Sequence, residues 1–313
     1  MAATANHHYI PQFYLRGFSN GFGRQAQVFV FDSNTKKSFT TLVRNIGSKR
    51  YFNRVKAYGV DPNHLEDAMA KIEGDIAPHL QQVIDAKAFP SQEHFGSIMT
   101  LIALLSVRNP RLRGVMTDFH RNIVERVMDV SVSSKETWES QIKKMHDSGK
   151  PIKKGVTYEE MKRFHEEKNY DVVIDQTYLI DRELKMVEPV LEHLSHRSWC
   201  FARAPKGYQF ITCDDPTILR WTAKVQQPSA YSPGHGLQNT YVIFTLSPEL
   251  TLVGMFEEMP KELNYSPDQV TAINTAVAQQ SQKQIYARDG NFLVNIKDRL
   301  NVRGSDLPTV FPK

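Results

Sequence analysis

The chain has 313 residues, 41% hydrophobic and 23% charged, an ordinary globular balance with enough length to bury a core without staples. Its 39 Lys and Arg exceed 34 Asp and Glu, so a net charge of +5 favours polyanionic partners without demanding them. The two cysteines, Cys200 and Cys213, exclude a four-cysteine zinc site and fit a reducing compartment.

The stretch NHHYIPQFYLRGFS, Asn6 to Ser19, concentrates histidines and aromatics where chain ends usually carry disposable residues. Two histidines are too short a run for a purification tag. Tyr9, Pro11, Phe13, Tyr14, Leu15 and Phe18 can fill a groove, but His7, His8, Gln12 and Arg16 need polar partners if buried. In an extended segment the two histidines point to opposite faces, so they can hardly chelate one metal together. Gln27 to Val43 alternates around Val28 and Val30 and reads as a hairpin turning near Asn34.

Asn63 and Glu66 form a capping-box pattern ahead of Leu65, Met69, Ile72, Ile76, Leu80 and Val83 at helical spacing, despite Gly74 and Pro78. From about Ser91 to Arg108 the pattern is apolar nearly all round, which predicts the central buried helix. Pro110 breaks or kinks it before a helical run to about Val130. Shorter helical patterns cover 135–147 and, after a Thr157/Glu160 capping box, 158–168. Gln176 to Ser195 is apolar on two faces and is expected to be buried.

Ser198 to Trp221 then reads as two strands about a Pro-Lys-Gly turn, and Tyr241 to Phe256 as a hairpin turning at Ser247-Pro248-Glu249. Ser266, Pro267 and Gln269 supply an N-cap, an N1 proline and an N3 partner for a last helix, followed by a strand from Asn291 to Ile296. The fold class is α+β: a central helical bundle with an antiparallel sheet built from the N-terminal hairpin and C-terminal strands. A lone hairpin is marginal, so one domain is expected over 1–313, with motif and hairpin at 6–54, helices at 63–196 and strands at 197–300. No secretory signal and no membrane-length apolar run is visible, so a cytoplasmic protein without a membrane partner is expected.

Taken in order, these motifs resemble the DUF4238 family, a bacterial family of unknown function whose members open with an HHYVPQFYLRNF-type segment. VFVFD and RNIGSKRYFN are similar to its early hairpin and connector, and LEDAMAKIEGDIAP to its acidic helix. ALLSVRNPRLR resembles its arginine-containing helix end, FITCDDPTIL its TSDNPV-type turn, and FTLSPELTLV its later hairpin. The chain departs from it with Gly17 where asparagine is common, and with Cys213-Asp214-Asp215 where Ser-Asp-Asn is common. The resemblance implies a set of positions and no reaction.

Glu66 and Glu73 are seven apart and project from nearly one helix face. Arg108 ends the buried helix, where a cation suits the C-terminus or could bind phosphate. Asp214 and Asp215 follow a strand, a place where Asp before Pro shapes turns and where catalytic carboxylates also sit.

Two readings result. In the first, a metal-dependent phosphodiesterase or nuclease unites His7 or His8 with Glu66, Glu73 and Asp214. The three carboxylates would hold Mg²⁺ or Mn²⁺, while Gln12, Arg16, Arg108 and Asp215 bind a nucleic-acid substrate. In the second, the chain is a non-catalytic nucleic-acid- or protein-binding module, and the same residues form an internal structural network.

Weaker signals are the His193/His196 pair, which lacks a zinc-protease glutamate, the Arg113/His120 spacing, the Cys213 thiol and the basic segment Ile142 to Gly155. No glycine-rich phosphate loop, nucleophile elbow or dinucleotide fingerprint is present.

Overall fold

In the computed structural model residues 5–21, 23–56, 58–149, 155–168, 170–223 and 232–310 are described. The N-terminal motif is not extended throughout. Asn6–His8 form a strand, β1, and Gln12–Arg16 a short helix, α1, entered through Pro11. The expected hairpin follows as β2 (Gln27–Asp32) and β3 (Lys37–Leu42), paired from Gln27↔Leu42 to Asp32↔Lys37. A further strand, β4 (Ser48–Arg50), has no signal in the sequence and pairs antiparallel with β1.

Helix α2 (His64–Ala86) carries Pro78 in its interior, and α3 (Gln92–Val107) buries nearly every side chain after Gly96. Ser91 caps α3 by accepting from the His94 N–H. The Asn63/Glu66 capping box does not form: the Asn63 side chain makes no cap hydrogen bond, and Glu66 accepts instead from Asn53 Nδ2 at 2.5 Å. Pro110 opens the next helix, α4 (Pro110–Ser131), where its missing N–H is harmless. Helices α5 (Lys135–Asp147), α6 (Tyr158–Glu166) and α7 (Gln176–Ser195) complete the helical stretch, and the Thr157/Glu160 box is formed at α6.

The C-terminal strands are β5 (Ser198–Arg203), β6 (Thr212–Cys213), β7 (Thr217–Trp221), β8 (Thr240–Ser247), β9 (Leu250–Met255) and β10 (Glu262–Asn264). Then come α8 (Pro267–Gln280), with both halves of its capping box, β11 (Gln284–Ala287), β12 (Leu293–Ile296), β13 (Arg299–Arg303) and the short α9 (Leu307–Val310).

The fold is α+β, and the N-terminal hairpin does join C-terminal strands. One antiparallel sheet runs β3-β2-β11-β6, and a second runs β10-β5-β9-β8-β7. The segment Ser198 to Trp221 is therefore no simple hairpin: β5 pairs with β9 and β10, whereas β6 pairs with β11 in the other sheet. The β8–β9 hairpin turns where expected.

The chain divides into two compact units, Met1–Arg111 with Ile180–Lys313, and Leu112–Leu179. In the larger unit α3, the motif and the five-stranded sheet share a core that includes Ile10, Tyr14, Leu15, Phe18, Ile98, Ile102, Trp199, Phe201 and Phe244. Within the smaller unit, His165 lies between the Tyr170 hydroxyl and Asp129, each at 2.7 Å. The basic segment Ile142 to Gly155 includes residues 150–154, which lie outside the described residues. Among the described residues no helix is long and apolar enough to cross a membrane.

Candidate functional site

The N-terminal motif is anchored by its apolar residues. Ile10, Tyr14, Leu15 and Phe18 are buried, and Tyr14 stacks on Phe244 with ring centroids 5.1 Å apart. The Tyr14 hydroxyl meets Thr212 Oγ1 and donates to the Thr245 carbonyl, both at 2.8 Å. Gly47 closes over the motif from the β4 side: its carbonyl accepts from the Tyr9 and Ile10 N–H groups at 2.9 and 3.2 Å. A side chain at Gly47 would be strained at φ +62 and would crowd Ile10 and Leu15 at 3.1 Å.

This anchoring fixes β1, and strand alternation then separates the two histidines. His7 is fully buried, its Nδ1 accepting the backbone N–H of Asn53 at 3.0 Å. Its Nε2 has no partner among the described residues. Asn53, also fully buried, gives its Nδ2 to Glu66, whose Oε2 stands 3.6 Å from His7 Nδ1. His8 is half-buried, and burial pushes its pKa down, against a hydrogen bond at the Arg44 carbonyl and the charge of Glu66.

The His8 carbonyl accepts from Arg108 at 3.1 Å, and the same guanidinium meets Met69 Sδ at 3.0 Å and Glu73 at 3.9 Å. Burial raises Glu73 to about 7, with Arg108 opposing and Glu66 adding to the rise. The structure thus brings His7, His8, Glu66, Glu73 and Arg108 into one linked group.

The other predicted residues lie in different settings. Gln12 and Arg16 face each other on α1 at 3.4 Å, and Arg16 lines a separate cavity with Gly17, Gly21 and Gln81. Asp214 accepts three backbone N–H groups, from Gln282 and Lys283 at 2.8 Å and from Gln284 at 3.2 Å. These bonds favour the ionised form, yet burial dominates and raises the carboxyl to about 6. Asp215 accepts from Arg111 Nε at 2.5 Å and Gln280 Nε2 at 2.6 Å, and burial raises its pKa too.

Among the described residues no group of three or more His, Cys, Asp or Glu side chains could hold a metal ion, so Glu66, Glu73 and Asp214 do not assemble as the expected Mg²⁺ or Mn²⁺ ligands. Cys213 is buried with its thiol pushed well above the usual range, chiefly by burial, which disarms it as a nucleophile. His120 is occupied by the Met116 carbonyl and the Tyr178 hydroxyl at 2.7 and 2.9 Å.

A cavity of about 600 Å³ opens beside Asp214, lined by Tyr9, Lys49, Arg111, Lys283 and the amide side chains of Asn34, Asn45 and Gln282. Tyr9 is bound to Tyr286 and has its pKa raised, first by burial and then by Asp214. Lys49 and Lys283 are exposed and pair with no carboxylate among the described residues. Of this wall, residue type and spacing single out Asp214 alone as a site residue. Tyr9 lies within the opening motif, Asn45 and Lys49 within RNIGSKRYFN, and Arg111 within ALLSVRNPRLR, but Gln282 to Gln284 carry no local signal and reach the site only because β11 pairs with β2 and β6.

A family model described as a protein of unknown function, DUF4238, matches residues 6–291. No curated protein and no solved structure matches the chain.

Proposed function

The chain belongs to the DUF4238 family, and from that footing we propose that it is a non-catalytic module that binds single-stranded nucleic acid at the cavity beside Tyr9. One observation carries the non-catalytic half. Both oxygens of Asp214 are taken by backbone N–H groups of residues 282–284, which makes it a clamp on a turn, and Asp32, the other carboxylate of the wall, accepts from the Asn34 and Thr35 N–H groups and from Gln284 Nε2. A metal-activated hydrolase needs carboxylate lone pairs directed at an ion. Asn53 also holds His7 Nδ1 and one oxygen of Glu66, Oε2.

The binding half is supported by the cavity wall. Lys49 and Lys283 supply exposed cations for phosphate, and Arg111, with one edge on Asp215, supplies a third. Tyr9 and the amides of Asn34, Asn45 and Gln282 suit base faces and edges. The net charge of +5 acts in the same sense.

The test is fluorescence anisotropy with a labelled oligonucleotide of about 12 nucleotides, titrated at several salt concentrations. Lys49→Gln with Lys283→Gln should weaken binding and reduce the slope of log K against log salt by about 1.4. The oligonucleotide should stay intact with Mg²⁺ or Mn²⁺ present. Cleavage requiring either ion, absent with a catalytically silent control preparation, would return the phosphodiesterase reading.

A further inference from the structure

A second cavity, of about 570 Å³, lies against β5 and the α2–α3 connection and shares no lining residue with the first. Its walls are aromatic. Phe89 stands edge-on to Phe95 and to Phe201, with centroids 5.1 and 4.8 Å apart. Trp199 and Phe201 are two apart on β5 and so share a sheet face. The indole Nε1 donates to the Leu194 carbonyl at 2.9 Å, which fixes the ring. Across the sheet stands Gly254, where a Cβ would come within 2.8 Å of the Trp199 ring, so the missing side chain is what lets the indole lie there.

The polar part of the wall is unusual in its accounting. Arg197 is only 4% exposed. Its terminal nitrogens donate to the carbonyls of Thr240, Gly254 and His235 and to Thr240 Oγ1, at 2.8 to 3.3 Å. Those bonds use all four terminal N–H groups and leave one donor, Nε–H, which has no acceptor among the described residues. That nitrogen is itself buried, so Arg197 lends the wall positive charge, on which Glu257 already acts, and not a free bond. Lys87 and Lys261 add exposed cations to the rim. Of the two acids there, Glu262 is already held by Arg203, which leaves Glu258.

We propose that this cavity binds a small planar aromatic molecule carrying one carboxylate. The ring lies among Phe89, Phe95, Trp199 and Phe201, and the carboxylate faces Lys87 and Lys261, with the Arg197 guanidinium adding a third positive charge to the wall. The site is independent of the nucleic-acid cavity and stands or falls without it.

Isothermal titration calorimetry on the full chain provides the test, with 1-naphthoate as probe and neutral 1-naphthalenemethanol as its comparison. Naphthoate should bind about tenfold more tightly than the alcohol, a ratio set by charge. Lys87→Gln with Lys261→Gln, both at exposed positions, should shrink that ratio to about two- or threefold with little change for the alcohol. Phe95→Ala should weaken both ligands by about tenfold. Oligonucleotide affinity should be unchanged by the lysine pair. No heat from either probe at millimolar concentration overturns the proposal, as does equal binding of the two or binding indifferent to the lysine pair and Phe95→Ala.

Discussion

His7, Asn53 and Glu66 form an internal network joined through Asn53, while Lys49, the strand partner of His7, stands exposed at the rim of a cavity. Both regions are rich in groups that could do chemistry. They differ in where the nearest backbone donors point. Around His7 the Asn53 N–H occupies the ring nitrogen that would act as a base, and around Asp214 three N–H groups occupy the carboxylate. The side chains of Lys49 and Lys283 are exposed and are so occupied by none of the described residues. A polar side chain is read as structural or available by what its partners leave free, and residue type alone does not say.

That contrast can be broken most forcefully at its closed end. His7→Ala removes a fully buried ring and orphans the Asn53 N–H, and should lower the unfolding free energy by about 3–4 kcal/mol in denaturant titrations. Unchanged stability would remove His7 from the scaffold. Asp214→Asn follows, at about 2–3 kcal/mol, because an amide cannot accept on both of its heavy atoms and three N–H groups compete for one oxygen.

Glu73 sharpens the same contrast through pH. Its pKa of about 7 lies above the ordinary 4.5, so its favourable contribution is full below about 4.5 and is lost as pH rises through about 7. Relative to Glu73→Gln, the parent protein should therefore lose stability between pH 5 and 8, measured by urea midpoints at each pH. A difference that grows in the opposite direction would mean that Arg108 dominates over burial. The smallest effect is expected at the open end. Lys49→Gln with Lys283→Gln should leave stability within about 0.5 kcal/mol, since both side chains are exposed and pair with no carboxylate among the described residues.

The elements are legible in the sequence where local chemistry decides them. Thr157 and Ser266 each accept the N–H three residues on, and their helices start where those caps predict; Ser91 does the same at the start of α3. Asn63 fails for a reason no local rule contains: Glu66 has a better donor in Asn53, ten residues before Asn63 and outside the helix. The β8–β9 hairpin is legible because its strands are adjacent in sequence, whereas the separation of β5 from β6 depends on distant partners.

The site divides along the same line. His7, Glu66, Glu73 and Arg108 do meet, and helical spacing together with the motif points to them. Asp214's clamp depends on where β11 begins, 70 residues downstream, which spacing cannot show.

The central claim is that the two regions have separate duties, and the most direct measurement reads both in one pair of variants. His7→Ala and the Lys49→Gln, Lys283→Gln pair are each assayed for unfolding free energy and for oligonucleotide affinity in one buffer, at a temperature where both are folded. The account predicts that His7→Ala loses stability and keeps its affinity, while the lysine pair keeps its stability and binds several-fold more weakly. An His7→Ala protein that is as stable as the parent but has lost oligonucleotide binding would contradict it.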